Sequence, residues 1–293
     1  MIDLNTGYKK IEAYTRGRKE KIWFSKDGTK YLYKFGASYY EIYAELIAEK
    51  LGTQCGIEMA NYNVATYNNS IGVLTKSFLK TGELIISSDK LKKAVSFIYE
   101  ENNINGNLSD NTISNLLESA FTYDPTINTE KLYKELVKRW IFYGTIMESD
   151  KNETNISFKK NRTKLSLTPD YDNSTMCRLN ENVRDLLTEI CTTSDVHRVT
   201  SNIQQVFKPS VNSSDDFLES FEEYANKNKE LVSKIFKDIK KMDIDKAIDE
   251  VEVENEISVP WEIKTYLNLT ISSRIKDMEA ILSNKTKKRK MID

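Results

Sequence analysis

Asp150-Lys-Asn-Glu-Thr-Asn155 decides how this chain of 293 residues is read, because a second acidic run, Thr168-Pro-Asp-Tyr-Asp172, follows it. Between them lie Ile156-Ser-Phe-Lys, Lys160-Asn-Arg-Thr and Lys164-Leu-Ser-Leu, which predict two short strands joined by a polar turn. A hairpin returns the chain to its starting point, so Asp172 is expected beside Asn155. The result is an Asp five residues before an Asn, with a second Asp brought next to that Asn. In phosphoryl transfer, one such carboxylate orients the attacking hydroxyl while the Asn and the other Asp hold Mg²⁺ against phosphate oxygens.

The N-terminal part supplies the complementary half of such a site. Lys21-Ile-Trp-Phe-Ser25 and Lys30-Tyr-Leu-Tyr-Lys-Phe35 predict two strands turning through Asp27-Gly28, a dipeptide suited to tight hairpins. Alternation puts Tyr31, Tyr33 and Phe35 on one face, and Leu32 and Lys34 on the other. Lys34 is therefore either a fixed cation for a phosphate ligand or an edge-strand lysine reaching solvent. A helix is expected next, capped by Ser38, with Ala44, Ile47, Ala48 and Leu51 as its apolar stripe and Gly52 as its end. Glu41 in its first turn and Glu45 one turn on are both candidates to face Lys34.

Further along, residues 61–67 and 71–78 form a second hairpin pattern around Asn68-Asn-Ser70, and residues 77–80 then cross to a mainly helical part. Residues 130–147 carry Leu132, Leu136, Val137, Trp140, Ile141, Gly144 and Met147 on one stripe, so a buried helix delivers Asp150. Helices are expected over 215–227, from 229 to about 241, and after Pro260-Trp261, whereas 243–256 reads as an acidic, exposed stretch. Asp170 has no assigned role and is as readily solvent-facing as not. Lys285-Thr-Lys-Lys-Arg-Lys290 is a basic tail, a solvated terminus or a weak contact for nucleic acid or an acidic partner.

Composition narrows the function classes. Lys+Arg 43 against Asp+Glu 44 leaves a net charge of -1, which argues against wholesale nucleic-acid binding. Cys55, Cys177 and Cys191 are odd in number, widely spaced and without metal-ligand spacing, as suits a reducing compartment. No run approaches the length of a membrane span and Met1-Ile-Asp-Leu-Asn is no signal peptide, so a cytoplasmic location is expected.

These pieces, taken in order, resemble the HipA-like Ser/Thr kinases, a bacterial branch of the protein-kinase-like fold. Gly17-Arg-Lys-Glu-Lys21 is similar to the family's Gly-x-x-x-Lys phosphate loop. Lys34 matches its ATP lysine, Glu41 its helix glutamate, and Val73-Leu-Thr-Lys-Ser-Phe78 its hinge strand. Asp150 and Asn155 match the catalytic loop, and Leu167-Thr-Pro-Asp-Tyr-Asp172 is close to the Leu-Thr-Pro-x-Tyr-Asp metal motif, the most specific single match.

The resemblance implies an α+β, bilobal protein-kinase-like fold: a small antiparallel-sheet N-lobe with one helix over 1–79, a mainly helical C-lobe over 80–284, and the tail at 285–293. It implies ATP and Mg²⁺ as cofactors. Asp150 would orient and deprotonate a Ser or Thr hydroxyl of a protein substrate, and Asn155 and Asp172 would bind Mg²⁺. Lys34, held by Glu41, would contact the phosphates, which Lys21 and the amides around Gly17 would cover. Backbone groups near Ser77 and Leu79 would meet adenine. By analogy, a toxin-type regulator of translation with an antitoxin partner is implied.

The sequence departs from the family in three places. Asn152 stands where the family usually has His two residues after the catalytic Asp, and the single histidine, His197, lies far downstream. The phosphate loop arrives at residue 17, so the extra N-terminal subdomain of longer members is not expected. Arg16 precedes Gly17 where a regulatory autophosphorylated serine is expected, leaving Thr15 as the nearest hydroxyl. The alternatives are a small-molecule or lipid kinase of the same fold, a nucleotide-binding pseudokinase, and a structural or interaction protein.

Overall fold

The computed structural model describes residues 1–12, 20–36, 38–193, 196 and 206–283. The sequence-based expectations for Thr15, Arg16, Gly17, His197 and the basic tail lie outside the described residues.

Strand alternation organises the N-terminal sheet. Its strands are β1 (Ile2–Asp3), β2 (Lys9–Ile11), β3 (Lys21–Lys26), β4 (Thr29–Phe35), β5 (Tyr62–Tyr67) and β6 (Ser70–Lys76), in the order β1-β5-β6-β4-β3-β2. The β3–β4 hairpin turns through Asp27 and Gly28, at φ 50° and 73°, the left-handed backbone that a two-residue hairpin loop demands. Asn68 and Asn69, at φ 48° and 62°, do the same for β5–β6. Ile22, Phe24, Tyr33, Ala65 and Leu74 close one face of the sheet with Leu4 as a separate core. The other face, carrying Val64 and Val73, joins the main core with helix α1 (Tyr39–Gln54). Ser38 caps α1 by accepting the Glu41 N–H at 3.3 Å, and almost every residue from Ile42 to Gly52 is buried, because the helix lies between the sheet and the helical lobe.

In the helical lobe, α2 (Ser88–Glu101), α3 (Ile113–Tyr123), α4 (Thr129–Thr145), α5 (Val183–Thr193), α6 (Phe217–Lys227), α7 (Lys229–Ile239), α8 (Ile244–Asn255) and α9 (Trp261–Leu282) surround a core that includes Trp140, Phe142 and Phe221. Gly144 permits the closest approach there. A Cβ at that position would stand 2.0 Å from the Phe217 ring, so α4 can pack against α6 only with glycine in place. A second sheet, β7-β8-β9 (Leu84–Ser87, Ser157–Asn161, Lys164–Leu167), pairs Phe158 with Leu167 and turns through Arg162 at φ 55°. The returning hairpin expected from the sequence is thus present.

The stretch 243–256 is not an exposed acidic segment. It forms α8, with Ile244, Ala247, Ile248 and Val251 buried at helical spacing and the carboxylates on the opposite side. Among the described residues, no helix is long and apolar enough to cross a membrane.

Candidate active site

Lys34 occupies β4 between Lys21 of β3 and Val73 of β6, on the face directed at α1. Its Nζ donates to Glu45 Oε1 at 2.7 Å and also pairs with the Asp172 carboxylate. Sheet, helix and the 168–172 segment therefore converge on one ammonium. Burial opposes its charge, but the Glu45 and Asp172 carboxylates prevail and raise the Lys34 pKa above its ordinary value. Burial likewise opposes ionisation of Asp172, yet Lys34, with Lys21 and Lys151, holds its pKa down at about 2.

The partner of Lys34 on α1 is Glu45, correcting the expected assignment of Glu41. Because α1 starts at Tyr39, Glu41 belongs to its first turn, while Glu45 stands one turn, about 5.4 Å, deeper between the lobes. There Glu45 is 2 % exposed, and its second oxygen accepts the Asn173 N–H at 2.8 Å. One side chain thus ties the sheet's lysine to the residue after Asp172.

The loop expected to carry the chemistry follows α4. Asp150 is exposed, and its carboxylate accepts from Asn152 Nδ2 at 2.7 Å and from Asn155 Nδ2 at 3.3 Å. Asn155 Nδ2 also donates to the Asp150 carbonyl at 2.6 Å, which orients the amide and turns its oxygen away from that carbonyl. Asn152 accepts the Thr154 N–H at 2.9 Å, so it organises the loop tip.

Below the tip the loop is anchored by buried charge. Glu148 accepts the Asp150 N–H at 2.8 Å and the Thr175 hydroxyl on the same oxygen, and burial pushes its pKa up to about 7. Lys151 points inward and donates to the Tyr171 carbonyl at 2.6 Å and the Asp172 carbonyl at 3.1 Å. Lys92 of α2 is 5 % exposed, pairs with Glu153, and donates to the Ser109 and Asp110 carbonyls, each at 3.0 Å. Asp170 is not solvent-facing. It is 2 % exposed and accepts from Tyr143 and from Asn173 Nδ2 at 3.1 Å, with Lys151 at 3.5 Å and Arg139 at 3.9 Å. Short-range pattern gave no sign of this cluster. Its nearest signal was a lysine directly after Asp150, in a loop whose other side chains are carboxylates, amides and one hydroxyl.

Near the hinge, Ser77 N–H donates to the Lys30 carbonyl at 2.9 Å, and Leu79 N–H faces Ser77 Oγ at 3.4 Å. Phe78 stacks on Tyr171 with ring centroids 6.0 Å apart. Lys21 is placed beside Lys34 by strand register.

The donor set suits a hard cation that shares its coordination with phosphate oxygens. Asp172 is an ionised carboxylate at neutral pH and Asn155 an oriented amide. Among the described residues there is no cluster of three or more His, Cys, Asp or Glu that would form an all-protein cage. Mg²⁺ at phosphate-transfer sites uses one or two carboxylates plus substrate oxygens, so these residues fit it.

The two lobes and the lysine–carboxylate cluster between them define a protein-kinase-like fold. Among solved structures, the Helicobacter pylori proinflammatory kinase CtkA is similar with a TM-score of 0.77 and 14% identity, over 97% of each chain. HipA from the Shewanella oneidensis MR-1 toxin–antitoxin complex with HipB and operator DNA is similar with a TM-score of 0.53 and 15% identity, over 94% of this chain and 64% of that one. At such identities the likeness is one of fold. No protein-family model and no curated protein matches the sequence.

Proposed function

We propose that the protein is an ATP-dependent, HipA-like phosphotransferase acting on Ser or Thr hydroxyls of a protein. The observation that carries this reading is the single buried cluster in which Lys34 meets Glu45 and Asp172 while Lys151 ties the Asp150 loop to the same segment. In this reading Lys34 would be the strand cation, Glu45 the helix carboxylate, Asp150 the base and Asp172 the metal carboxylate that phosphoryl transfer requires.

In this reading residues 1–79 hold the nucleotide and residues 80–284 present the acceptor. Asp150, exposed and fixed through its own N–H by Glu148, orients the acceptor hydroxyl and takes up its proton. Lys34 leaves its pairing with Asp172 to meet phosphate oxygens, while Glu45 keeps it in place. Lys21 and the amides around Gly17 cover the phosphates, and the backbone at Ser77 and Leu79 meets adenine. Asn155 and Asp172 would hold Mg²⁺, which would supply charge neutralisation for the transferring phosphoryl group. Positioning and charge compensation make up most of such catalysis. The likeness to HipA in a toxin–antitoxin complex makes an antitoxin protein the candidate partner, and the family resemblance suggests a translation component as substrate, by analogy alone.

The test is incubation with labelled ATP and a host lysate, with Asp150→Ala as control. Label on protein Ser or Thr that disappears in Asp150→Ala is expected. Full activity in Asp150→Ala removes the assignment of the base. Label on a metabolite points to a small-molecule kinase, and nucleotide binding without transfer points to a pseudokinase.

A further inference from the structure

The residue after the proposed base is the least expected feature of the site. Asp150 is exposed, yet the Lys151 side chain is 1 % exposed and directed the opposite way. Its ammonium donates to two consecutive carbonyls, Tyr171 at 2.6 Å and Asp172 at 3.1 Å, and lies 3.5 Å from Asp170 Oδ1. It also sits over the Tyr143 ring, 4.9 Å from the centroid. An ammonium has three donors, and this geometry gives each of them an acceptor.

A backbone that leaves extended or right-handed geometry can turn consecutive carbonyls toward one cation. Asp172 does so, at φ 60°, a left-handed conformation that an Asp adopts at a cost. The residue is held there from both sides: its N–H donates to the Tyr62 hydroxyl at 3.1 Å, and its carbonyl receives Lys151. The direction of the Asp172 carboxylate follows from that backbone. The other end of Lys151 is equally fixed, since its own carbonyl accepts from Asn111 Nδ2 at 2.9 Å.

We propose that Lys151 is a positioning residue that holds Asp172 in its left-handed conformation, and so sets the placement of the metal carboxylate relative to the base beside it. This rests on the phosphotransferase reading. In that reading Lys151 touches neither nucleotide nor acceptor. It acts through Asp172, so its loss should weaken the contribution of Mg²⁺ and leave metal-free nucleotide binding alone.

The experiment compares wild type, Lys151→Met and Lys151→Gln. Affinity for a non-hydrolysable ATP analogue is measured calorimetrically in Mg²⁺ and in EDTA, and transfer is followed across a Mg²⁺ series. For folded Lys151→Met, affinity in EDTA should stay within about threefold of wild type. The gain in affinity on adding Mg²⁺ should shrink by roughly 10- to 100-fold, the usual effect of losing a residue that orients a metal ligand. Transfer should fall by a similar factor and recover as Mg²⁺ is raised. Lys151→Gln, which keeps a donor for one carbonyl, should fall between the two, and it carries the same test if Lys151→Met does not fold. A wild-type Mg²⁺ response in both variants overturns the proposal, as does lost transfer with the Mg²⁺ gain intact. Failure of both variants to fold also overturns it, by making Lys151 a folding residue. A wild-type protein that binds no nucleotide is a separate result, because it removes the phosphotransferase reading before any variant is compared.

Discussion

The two faces of the six-stranded sheet are built from alternate residues of the same strands and do different work. On the outer face Phe24, Tyr33 and Tyr67 pack edge-to-face, with centroids 5.1 to 6.4 Å apart, under a cover that includes Leu4 and Tyr8. On the inner face Lys21 and Lys34 lie side by side, and the next row places Trp23, Leu32, Thr75 and Tyr62 in register. The outer face is filled by hydrocarbon and rings. The inner one keeps polar atoms, Trp23 Nε1 and Thr75 Oγ1 among them, that are buried with no hydrogen-bond partner. Buried polar atoms of a native core are ordinarily satisfied by protein, water or a ligand. The difference separates an aromatic, apolar face from one that carries charged and polar groups along a period of two residues.

Substitutions can break that separation. Lys34→Met on the inner face leaves Glu45 and Asp172 facing each other without a cation, and transfer should fall by roughly 10³-fold, the upper end for one electrostatic group. Steady-state kinetics on folded protein checks this, and near-normal transfer would remove Lys34 from the site. Tyr33→Ala on the outer face should cost about 3–4 kcal/mol of stability, read by urea unfolding, with transfer per folded molecule unchanged. Altered kinetics in folded Tyr33→Ala would erase the distinction between the faces.

Glu148 sharpens the same contrast inside the helical lobe, where a buried acid serves the loop. Its carboxyl holds a proton more tightly folded than unfolded, with a pKa raised from 4.5 to about 7 by burial. Its contribution is therefore fully present below about pH 4.5 and is lost as pH rises through about 7, a swing of roughly 3 kcal/mol. Glu148→Gln, which mimics the protonated form, should lose stability relative to wild type as pH is lowered from 8 to 5, as measured by thermal unfolding. A pH-independent difference between the two proteins contradicts the buried acid. The smallest effect is expected on α1. Glu45→Gln should lower transfer about 10-fold, since it weakens the hold on both Lys34 and Asn173, whereas Glu41→Gln should change it less than about threefold. The reverse order would restore Glu41 as the partner.

The chain's local patterns carried much of this. All three hairpins, the Ser38 cap, the stripe of α4 and the order of Lys34, Asp150, Asn155 and Asp172 were legible because turns, caps and amphipathic spacing are short-range chemistry. Other elements were not. The acidic composition of 243–256 hid Ile244, Ala247, Ile248 and Val251, whose spacing was helical all along. Strand β1, two residues long and parallel to β5, has too little pattern to announce itself.

The site divides the same way. From the sequence alone came the identity of the charged residues and their separation along the chain, which alternation on a strand and return of a hairpin turned into a rough meeting place. The choice of Glu45 over Glu41 came only from the tertiary structure, because two carboxylates four residues apart share a helix face and only the depth of the helix between the lobes separates them. The burial of Asp170 and the inward turn of Lys151 were decided there too. Those side chains answer to carbonyls, rings and charges from segments distant in sequence, and a buried charge settles where its partners assemble.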